Sequence, residues 1–271
     1  MQTKIEAPAT EPLSVAETSI AVRAVERRFS ATRRGGAEVE ALAGVSLEVG
    51  AGEVLGVVGP SGCGKSTLLE LVAGLQEADG GLIEVAGAGG SEHRRASCSY
   101  MPQRDLLLPW RDALDNAGLA LECQGVPRRE ARRRAEPLLR RFGLEGFAGC
   151  RPAQLSGGMR QRVAFMRALL PRRPVLLLDE PFASLDSITR SGMQQWLAER
   201  LEEEPRTVLL VTHDVEEALF LSDRVVVLSP RPGRVVCELE VPHARPRDRR
   251  AAVGDPELAR LRQRALEALG A

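Results

Sequence analysis

Short runs of consecutive apolar residues recur along the chain and predict β-strands that are buried on both faces. These runs have strand length, are bounded by polar or turn residues, and cover residues 54–58, 175–178, 207–212 and 225–228. Segments with the apolar spacing of helices alternate with the strands, at residues 65–73, 191–203 and 216–221. Strands that alternate with helices are typical of an α/β fold with a mostly parallel sheet.

Two stretches of the chain interrupt this alternation. Residues 20–29 and 38–49 predict two strands joined by a turn at 32–36, and hence an N-terminal antiparallel β-subdomain. Helices predicted at 114–121, 128–142 and 157–170 lead us to interpret residues from about 104 to 163 as an inserted helical subdomain. The expected organisation is a flexible N-terminal extension over 1–18, a main domain over 19–245 and a helical C-terminal tail over 246–271.

The composition narrows the class of protein. Apolar residues make up 44% and charged residues 27%, as in ordinary soluble proteins, and the formal net charge is zero. Because the chain is neutral, we interpret the Arg-rich segment 127–134 as a solvated helix face rather than a nucleic-acid patch. No apolar run approaches the roughly 18 residues of a membrane span, and residues 1–14 lack the apolar core of a signal peptide. We therefore expect a chain that stays in the cytoplasm and is at most peripheral to a membrane.

A Gly-rich loop follows the first buried strand and precedes a helix. It fits the phosphate-loop pattern G-x-x-x-x-G-K-[ST] and consists of Gly59, Pro60, Ser61, Gly62, Cys63, Gly64, Lys65, Ser66 and Thr67. Its glycines let backbone N–H groups point at phosphate oxygens, and the helix adds the positive end of its dipole. Lys65 would then contact the β- and γ-phosphates while the Ser66 hydroxyl ligates Mg²⁺. A purely structural turn is the alternative.

The composition also singles out Lys65. Of the 37 basic residues, only Lys4 and Lys65 are lysines, and the others are arginines. The two side chains differ in shape and hydration. Retention of one lysine in an Arg-biased chain therefore indicates that a compact ammonium is required at this position.

Two acidic residues follow the apolar strand at 175–178. Asp179 is a candidate to hold Mg²⁺, and Glu180 is a candidate general base that polarises the attacking water. Solvated acids at a strand end are the alternative, which the phosphate loop upstream makes weaker.

The segment Leu155-Ser156-Gly157-Gly158-Met159-Arg160-Gln161-Arg162 lies upstream of these acids. By itself, Ser-Gly-Gly before a helix is compatible with an ordinary N-cap and turn. Together with the phosphate loop and the acids, it resembles the signature motif of the ABC transporter ATPases, and the resemblance runs from about residue 20 to the end of the chain. It implies that 19–245 is an ABC ATPase domain with a P-loop NTPase core, which binds and hydrolyses ATP with Mg²⁺.

The same resemblance implies a site shared between two subunits. Ser156, Gly157 and Gly158 of one subunit would close on the γ-phosphate of ATP held by the phosphate loop of the other. Asp186, in Ser184-Leu185-Asp186, matches the family's loop that crosses the dimer interface.

Three further residues match functional positions of the family. Gln103 matches the glutamine that senses Mg²⁺ and the γ-phosphate and links the sheet core to the helical insertion. His213 matches the switch histidine at a strand end. Phe29 matches the aromatic residue that stacks on adenine, with a simple core Phe as the alternative.

Several elements are similar to the importer branch for nitrate, sulfonates and taurine. The most specific are Leu107-Leu108-Pro109-Trp110 and Pro230-Arg231-Pro232-Gly233, while Phe165-Met166-Arg167-Ala168 is similar to members that import a pyrimidine precursor of thiamine. The resemblance implies a homodimer of ATPase subunits, separate integral membrane permease subunits, indirectly a solute-binding protein, and no nucleic acid. The expected location is peripheral, on the cytoplasmic face of the inner membrane.

The alternatives are a non-transport ABC ATPase and a P-loop kinase or GTPase. Translation factors of the ABC class have two ATPase copies and a charged linker, and repair clamps have heptad arms; neither feature is found here. A GTPase needs an N-K-x-D motif, which neither lysine of this chain can supply because neither follows an asparagine.

The apolar segment 105–110 follows Gln103 and ends in Pro109-Trp110. We predict that it lies at the groove that receives a short helix of the membrane subunit, with Trp110 as an anchor. The alternative is that residues 106–108 and Trp110 pack inside the helical insertion.

Overall fold

Nine strands and eight α-helices make up the described part of the chain. The computed structural model describes residues 18–30, 38–248, 252 and 254–270. The predicted extension 1–18, apart from Thr18, and the predicted turn at 32–36 lie outside these residues. In chain order the elements are β1 (Thr18–Phe29), β2 (Val39–Gly50), β3 (Val54–Val58), α1 (Lys65–Val72), β4 (Gly80–Val85), α2 (Ser91–Ser97), β5 (Cys98–Met101), α3 (Ala113–Glu122), α4 (Arg128–Arg141), α5 (Gly157–Leu169), β6 (Val175–Asp179), α6 (Ser187–Glu203), β7 (Thr207–Thr212), α7 (Val215–Leu221), β8 (Arg224–Leu228), β9 (Val235–Glu240) and α8 (Pro256–Leu269).

The first two strands form the predicted antiparallel pair, and β4 extends it to a three-stranded sheet in the order β2-β1-β4. Val22 of β1 pairs with Leu47 of β2 and with Ile83 of β4, and all three side chains are buried in one core with β3 and α1. Phe29 pairs with Val39 at the end of the β1–β2 ladder. The sheet therefore carries the predicted adenine-stacking residue at one end.

The second sheet has six strands in the order β5-β6-β7-β3-β8-β9. The first five are parallel, and β9 is antiparallel to β8. Every residue of β3, β6 and β7 is buried, which agrees with the prediction from their continuous apolar runs. Because the carboxyl ends of parallel strands meet at one edge, the sheet brings the segments after β3, β5, β6 and β7 together there.

Three elements were not predicted from the sequence. Strand β5 is only four residues long, α2 lies in a Gly-rich and Arg-rich stretch, and β9 is a partly exposed edge strand. None of the three has a long apolar run or a clear apolar period, so hydrophobic patterning does not reveal them.

Helices α3, α4 and α5 lie between β5 and β6, in the interval expected to be helical. An aromatic cluster joins α4 and α5 to the core: the Phe142 ring lies 4.9 Å from Trp196 and 6.0 Å from Phe165, and Phe165 lies 5.7 Å from Phe182. The division of the chain into subdomains stays a prediction.

The Arg-rich helix α4 is neutralised in part by acidic residues of α3 and its own first turn. Arg128 and Arg132 donate to the buried carboxylate of Asp115, which holds the pKa of that carboxyl below its usual range despite burial. Arg133 and Arg134 pair with Glu130. These pairs support the interpretation of this segment as a solvated helix face.

Helix α8 packs on α7, β8 and β9, where Leu258, Leu261 and Ala265 complete a third apolar cluster. Across the described ranges, none of the helices combines the length and the apolar character that a membrane crossing requires.

Candidate nucleotide-binding and catalytic site

The Gly-rich loop between β3 and α1 folds tightly around the Lys65 ammonium. Nζ donates to the carbonyl oxygens of Gly59 at 2.6 Å and Pro60 at 3.0 Å, and the residue is only 7% exposed. Gly64 has φ 104°, and a Cβ there would lie 2.8 Å from the Ala41 carbonyl oxygen, so only glycine fits this position. The loop therefore has the compact, inward-turned backbone that phosphate binding needs.

A cavity of about 370 Å³ lies over this loop. The loop residues Ser61, Lys65 and Ser66 line it together with Phe29 at the end of β1. Gln103 and Glu180, which follow β5 and β6, line the same cavity from the sheet edge. The structure thus brings Phe29 to the phosphate loop, as expected for a base-stacking residue, and the Arg27 guanidinium lies 4.8 Å from its ring.

Asp179 ends β6 directly beside the loop. Its side chain is buried, and burial raises its pKa to about 6, while a hydrogen bond with Ser66 acts in the opposite direction. Its Oδ1 atom meets no hydrogen-bond partner among the described residues. A buried carboxylate oxygen without a partner, next to a hydroxyl group, fits the oxygen-ligand chemistry of a divalent cation.

Glu180 is held in an uncommon backbone conformation, with φ 48°. Its N–H donates to the Val211 carbonyl at 2.8 Å, and its own carbonyl accepts from Gln161 Nε2 at 3.0 Å. Its Oε2 atom accepts from Gln103 Nε2 at 3.2 Å and lies 3.3 Å from His213 Nδ1. Two separate segments therefore aim polar side chains, those of Gln103 and His213, at one carboxylate, while Gln161 holds the backbone of the same residue.

The signature segment lies elsewhere on the surface. Ser156 is the N-cap of α5, where its Oγ atom accepts from the Met159 N–H at 3.3 Å, and both Ser156 and Gly157 are exposed. Neither these residues nor Gly158 line the cavity over the phosphate loop of the same chain. This separation is what a site completed by a second subunit requires.

Asp186 occupies a similar position at the start of α6. Its carboxylate accepts from the Thr189 N–H at 3.0 Å, and this bond lowers its pKa. Asp186 is exposed, so the segment that follows Glu180 reaches the surface of the molecule at this residue.

Sequence reasoning did not assign two residues that the structure brings to the site. Gln161 of α5 bridges Glu180 and the backbone N–H of Ser184, which its Oε1 atom accepts at 2.8 Å. Arg231 lines the cavity and donates to the Gly62 carbonyl. Each stood inside a motif quoted from the sequence, but only the folded chain places it near the cavity.

The segment after Gln103 is partly exposed. Trp110 is 69% exposed and Leu106 is 56% exposed, whereas Leu107 is buried. The alternative that all of these side chains pack inside the helical insertion is therefore wrong for Trp110 and Leu106. Arg167 of α5 fixes the segment by donating to the carbonyl oxygens of Asp105 at 2.6 Å and Leu106 at 2.9 Å.

The fold and the cavity define a nucleoside triphosphatase of the phosphate-loop class, and comparisons with known proteins narrow this further. Residues 42–183 match the family model described as ABC transporter. An aliphatic sulfonates import ATP-binding protein of Rhodococcus jostii is 49% identical, over 83% of this chain and 85% of its own. A formylaminopyrimidine import ATP-binding protein of Halalkalibacterium halodurans is 47% identical, over 73% and 77% of the two chains. A taurine import ATP-binding protein of Rhizobium johnstonii is 44% identical, over 85% and 89%.

A solved structure agrees with these relatives. A dimeric ATP-binding cassette in a post-hydrolysis state, bound to ADP and Pi, matches with a TM-score of 0.75 at 31% identity, over 83% of this chain and all of that one. The chain belongs to the ABC transporter family, as one of its ATP-binding subunits. The expected fold class, an ABC ATPase core with a mostly parallel sheet and an N-terminal antiparallel sheet, is confirmed.

Proposed function

We propose that this chain binds and hydrolyses ATP as the motor subunit of an importer for a small sulfonate-like or related organic solute. The observation that carries the proposal is the cavity over the phosphate loop, in which Lys65, Phe29, Gln103 and Glu180 meet. The relatives named for sulfonates, taurine and formylaminopyrimidine support import over a non-transport ATPase. Because their solutes differ, the solute is proposed only as a class.

In the proposed cycle, the phosphate loop binds the triphosphate and Phe29 stacks on adenine. Lys65 supplies a positive charge at the β- and γ-phosphates, and backbone N–H groups complete the cradle. Glu180 orients and polarises the attacking water, and Gln103 and His213 hold its carboxylate in place.

The oxygen-bearing side chains at this position fit a Mg²⁺ ion bound together with ATP. Ser66 and Asp179 would hold it, with Gln103 as the third protein group, and the orphaned Oδ1 atom of Asp179 would gain its missing partner. When bound, the ion neutralises charge on the β- and γ-phosphates.

Two copies of the chain would bind two ATP molecules at their interface. Ser156, Gly157 and Gly158 of each copy would contact the γ-phosphate bound by the other, and Asp186 would cross between the two sites. Closure with ATP and opening after hydrolysis would then drive two membrane permease subunits between their two orientations.

Contact with the permease is proposed at residues 105–110. The exposed Trp110 and Leu106 offer an apolar surface, and the segment begins two residues after Gln103. A change at the γ-phosphate would reach this surface directly along the chain. We propose that the subunit works peripherally, at the cytoplasmic face of the inner membrane, with a solute-binding protein as an indirect partner.

Reconstitution tests this function. The chain would be purified with its permease subunits, placed in proteoliposomes with its solute-binding protein, and supplied with ATP and radiolabelled taurine or an alkanesulfonate. ATP-dependent uptake that Lys65→Ala abolishes would support the proposal. ATP hydrolysis without association with any permease would favour the non-transport alternative.

A further inference from the structure

The hairpin between β8 and β9 lies directly against the phosphate loop. A Cβ on Gly233 would lie 2.2 Å from the Cys63 carbonyl oxygen, so no side chain fits between the two segments. The Gly233 N–H donates to the Ala41 carbonyl at 2.9 Å, and its carbonyl accepts from the Ala43 N–H at 3.1 Å. The hairpin is therefore fixed to both β2 and the phosphate loop.

The hairpin is also closed on itself. The Ser229 N–H donates to the Arg234 carbonyl at 2.9 Å, and Ser229 Oγ accepts from the Arg234 N–H at 3.1 Å. Arg231 extends from the tip of this closed hairpin. A rigid base of this kind reduces the entropy lost when its side chain binds a ligand.

The Arg231 guanidinium lies at the rim of the cavity. Its Nε donates to the Gly62 carbonyl at 3.1 Å, and it lines the cavity together with Lys65 and Ser61. Among the residues that the structure describes, neither terminal nitrogen of Arg231 has a hydrogen-bond partner. They are hydrogen-bond donors beside the Gly-rich loop that is proposed to bind the phosphates.

We infer that Arg231 is a second cation of the nucleotide site, which binds phosphate oxygens of ATP and ADP opposite Lys65. This inference rests on the proposed function. A planar guanidinium can contact two oxygens at once and keeps its charge at any physiological pH, whereas the buried ammonium of Lys65 acts as a point charge. Arg231 would thus add affinity for the polyphosphate from the solvent side.

Nucleotide affinity of the purified full-length subunit tests the inference. ADP binding is measured by calorimetry for the wild type and Arg231→Ala, and we expect the variant to bind about tenfold more weakly. The matched control is Arg234→Ala. Arg234 lies in the same hairpin and carries the same charge, but its Nη1 atom donates to the Ala43 carbonyl at 3.0 Å and the residue does not line the cavity. The ADP affinity of Arg234→Ala should stay within about twofold of that of the wild type.

Two further measurements separate a phosphate contact from simple support of the loop. Arg231→Gln can still donate a hydrogen bond to Gly62 but has no charge, and we expect it to bind ADP as weakly as Arg231→Ala, while Arg231→Lys recovers part of the affinity. Inorganic tripolyphosphate, used as a competitor of ADP, should bind Arg231→Ala more weakly than the wild type, by the same factor as ADP.

An ADP affinity of Arg231→Ala within twofold of the wild type would overturn the inference, as would full recovery in Arg231→Gln or an unchanged tripolyphosphate competition. The proposed function fails in a different way. If the wild type bound no nucleotide, or bound it as well with Lys65→Ala, the nucleotide site itself would be wrong.

Discussion

The Oε2 atom of Glu180 lies 3.3 Å from Nδ1 of His213, although the two residues follow different strands of the central sheet, β6 and β7. The Glu180 side chain is 16% exposed, whereas that of His213 is 62% exposed. The carboxylate is thus largely shielded, and the imidazole covers it from the solvent side. If Glu180 is the general base, as proposed, a second subunit that closes over the exposed His213 could align the carboxylate.

Replacement of Glu180 by Gln should remove the base and keep the shape of the site. Gln can preserve the contacts with Gln103 and His213, so ATP binding should persist while turnover falls by about 10² or more. Steady-state phosphate release measures turnover, and size-exclusion chromatography with ATP detects the dimer that should accumulate. Near wild-type hydrolysis would remove Glu180 from this role.

Replacement of Lys65 by Arg should weaken nucleotide binding despite the conserved charge. Nζ lies within 3.0 Å of two carbonyl oxygens in a buried loop, and the larger planar guanidinium does not fit this space. We expect ADP affinity to fall by about tenfold or more, and ATPase activity to fall with it. Lys4→Arg, the only other such substitution that the chain allows, is the control. Unchanged ADP affinity in Lys65→Arg would mean that steric fit does not explain why this position holds a lysine in an Arg-rich chain.

Removal of Trp110 should affect assembly but not folding. The residue is 69% exposed, so Trp110→Ala should leave the melting temperature of the isolated subunit within about 2 °C and its basal ATPase activity unchanged. Co-purification with the permease subunits should weaken. The second tryptophan is the matched control: Trp196 packs at 4.9 Å from Phe142, and Trp196→Ala should destabilise the subunit by roughly 3 kcal/mol.

A large melting-temperature loss in Trp110→Ala would contradict the anchor role. So would intact co-purification with the permease, since the exposed ring would then have no contact to lose.

Glu217 should make stability depend on pH. This α7 residue is buried, accepts from Gln194 Nε2 at 2.7 Å, and burial raises its pKa to about 7. The folded protein therefore retains a proton that the unfolded chain loses at lower pH. The contribution of this group to stability is fully present below the ordinary Glu pKa and is lost as the pH rises toward 7.

Chemical unfolding of the wild type and Glu217→Gln between pH 5 and 8 checks this effect. The neutral amide does not titrate, so the free energy of unfolding of the wild type relative to the variant should decrease as the pH rises through this window. Glu216→Gln, at the exposed neighbouring position, should show no such trend. A pH-independent difference between the wild type and Glu217→Gln would contradict a raised pKa.

The sequence was most informative where a segment is buried on all sides. Strands β3, β6 and β7 have uninterrupted apolar runs because both faces are covered, and they could be predicted directly. Strand β5 and edge strand β9 lack such a signal, and they were missed. Only family resemblance, not periodicity, singled out Gln103 and His213.

The sequence could not predict which residues of the site lie close together, and the reason is physical. Gln103 and Glu180 are 77 residues apart along the chain and meet because β5 and β6 are neighbouring parallel strands. Arg231 reaches the phosphate loop because β8 is paired with β3. Strand order fixes both contacts, and local patterns of residues carry no information about strand order.

The central claim is that each ATP site is built from the phosphate loop of one subunit and the signature segment of another. Two inactive variants test it when mixed: Lys65→Ala, with a defective loop, and Ser156→Arg, with a blocked signature segment. In a mixed dimer, the loop of the Ser156→Arg subunit faces the intact signature segment of the Lys65→Ala subunit, so one complete site is restored. Single-turnover hydrolysis in the mixture should clearly exceed the sum of the two separate variants. Hydrolysis no greater than that sum would mean that each site lies within one chain and would contradict the account.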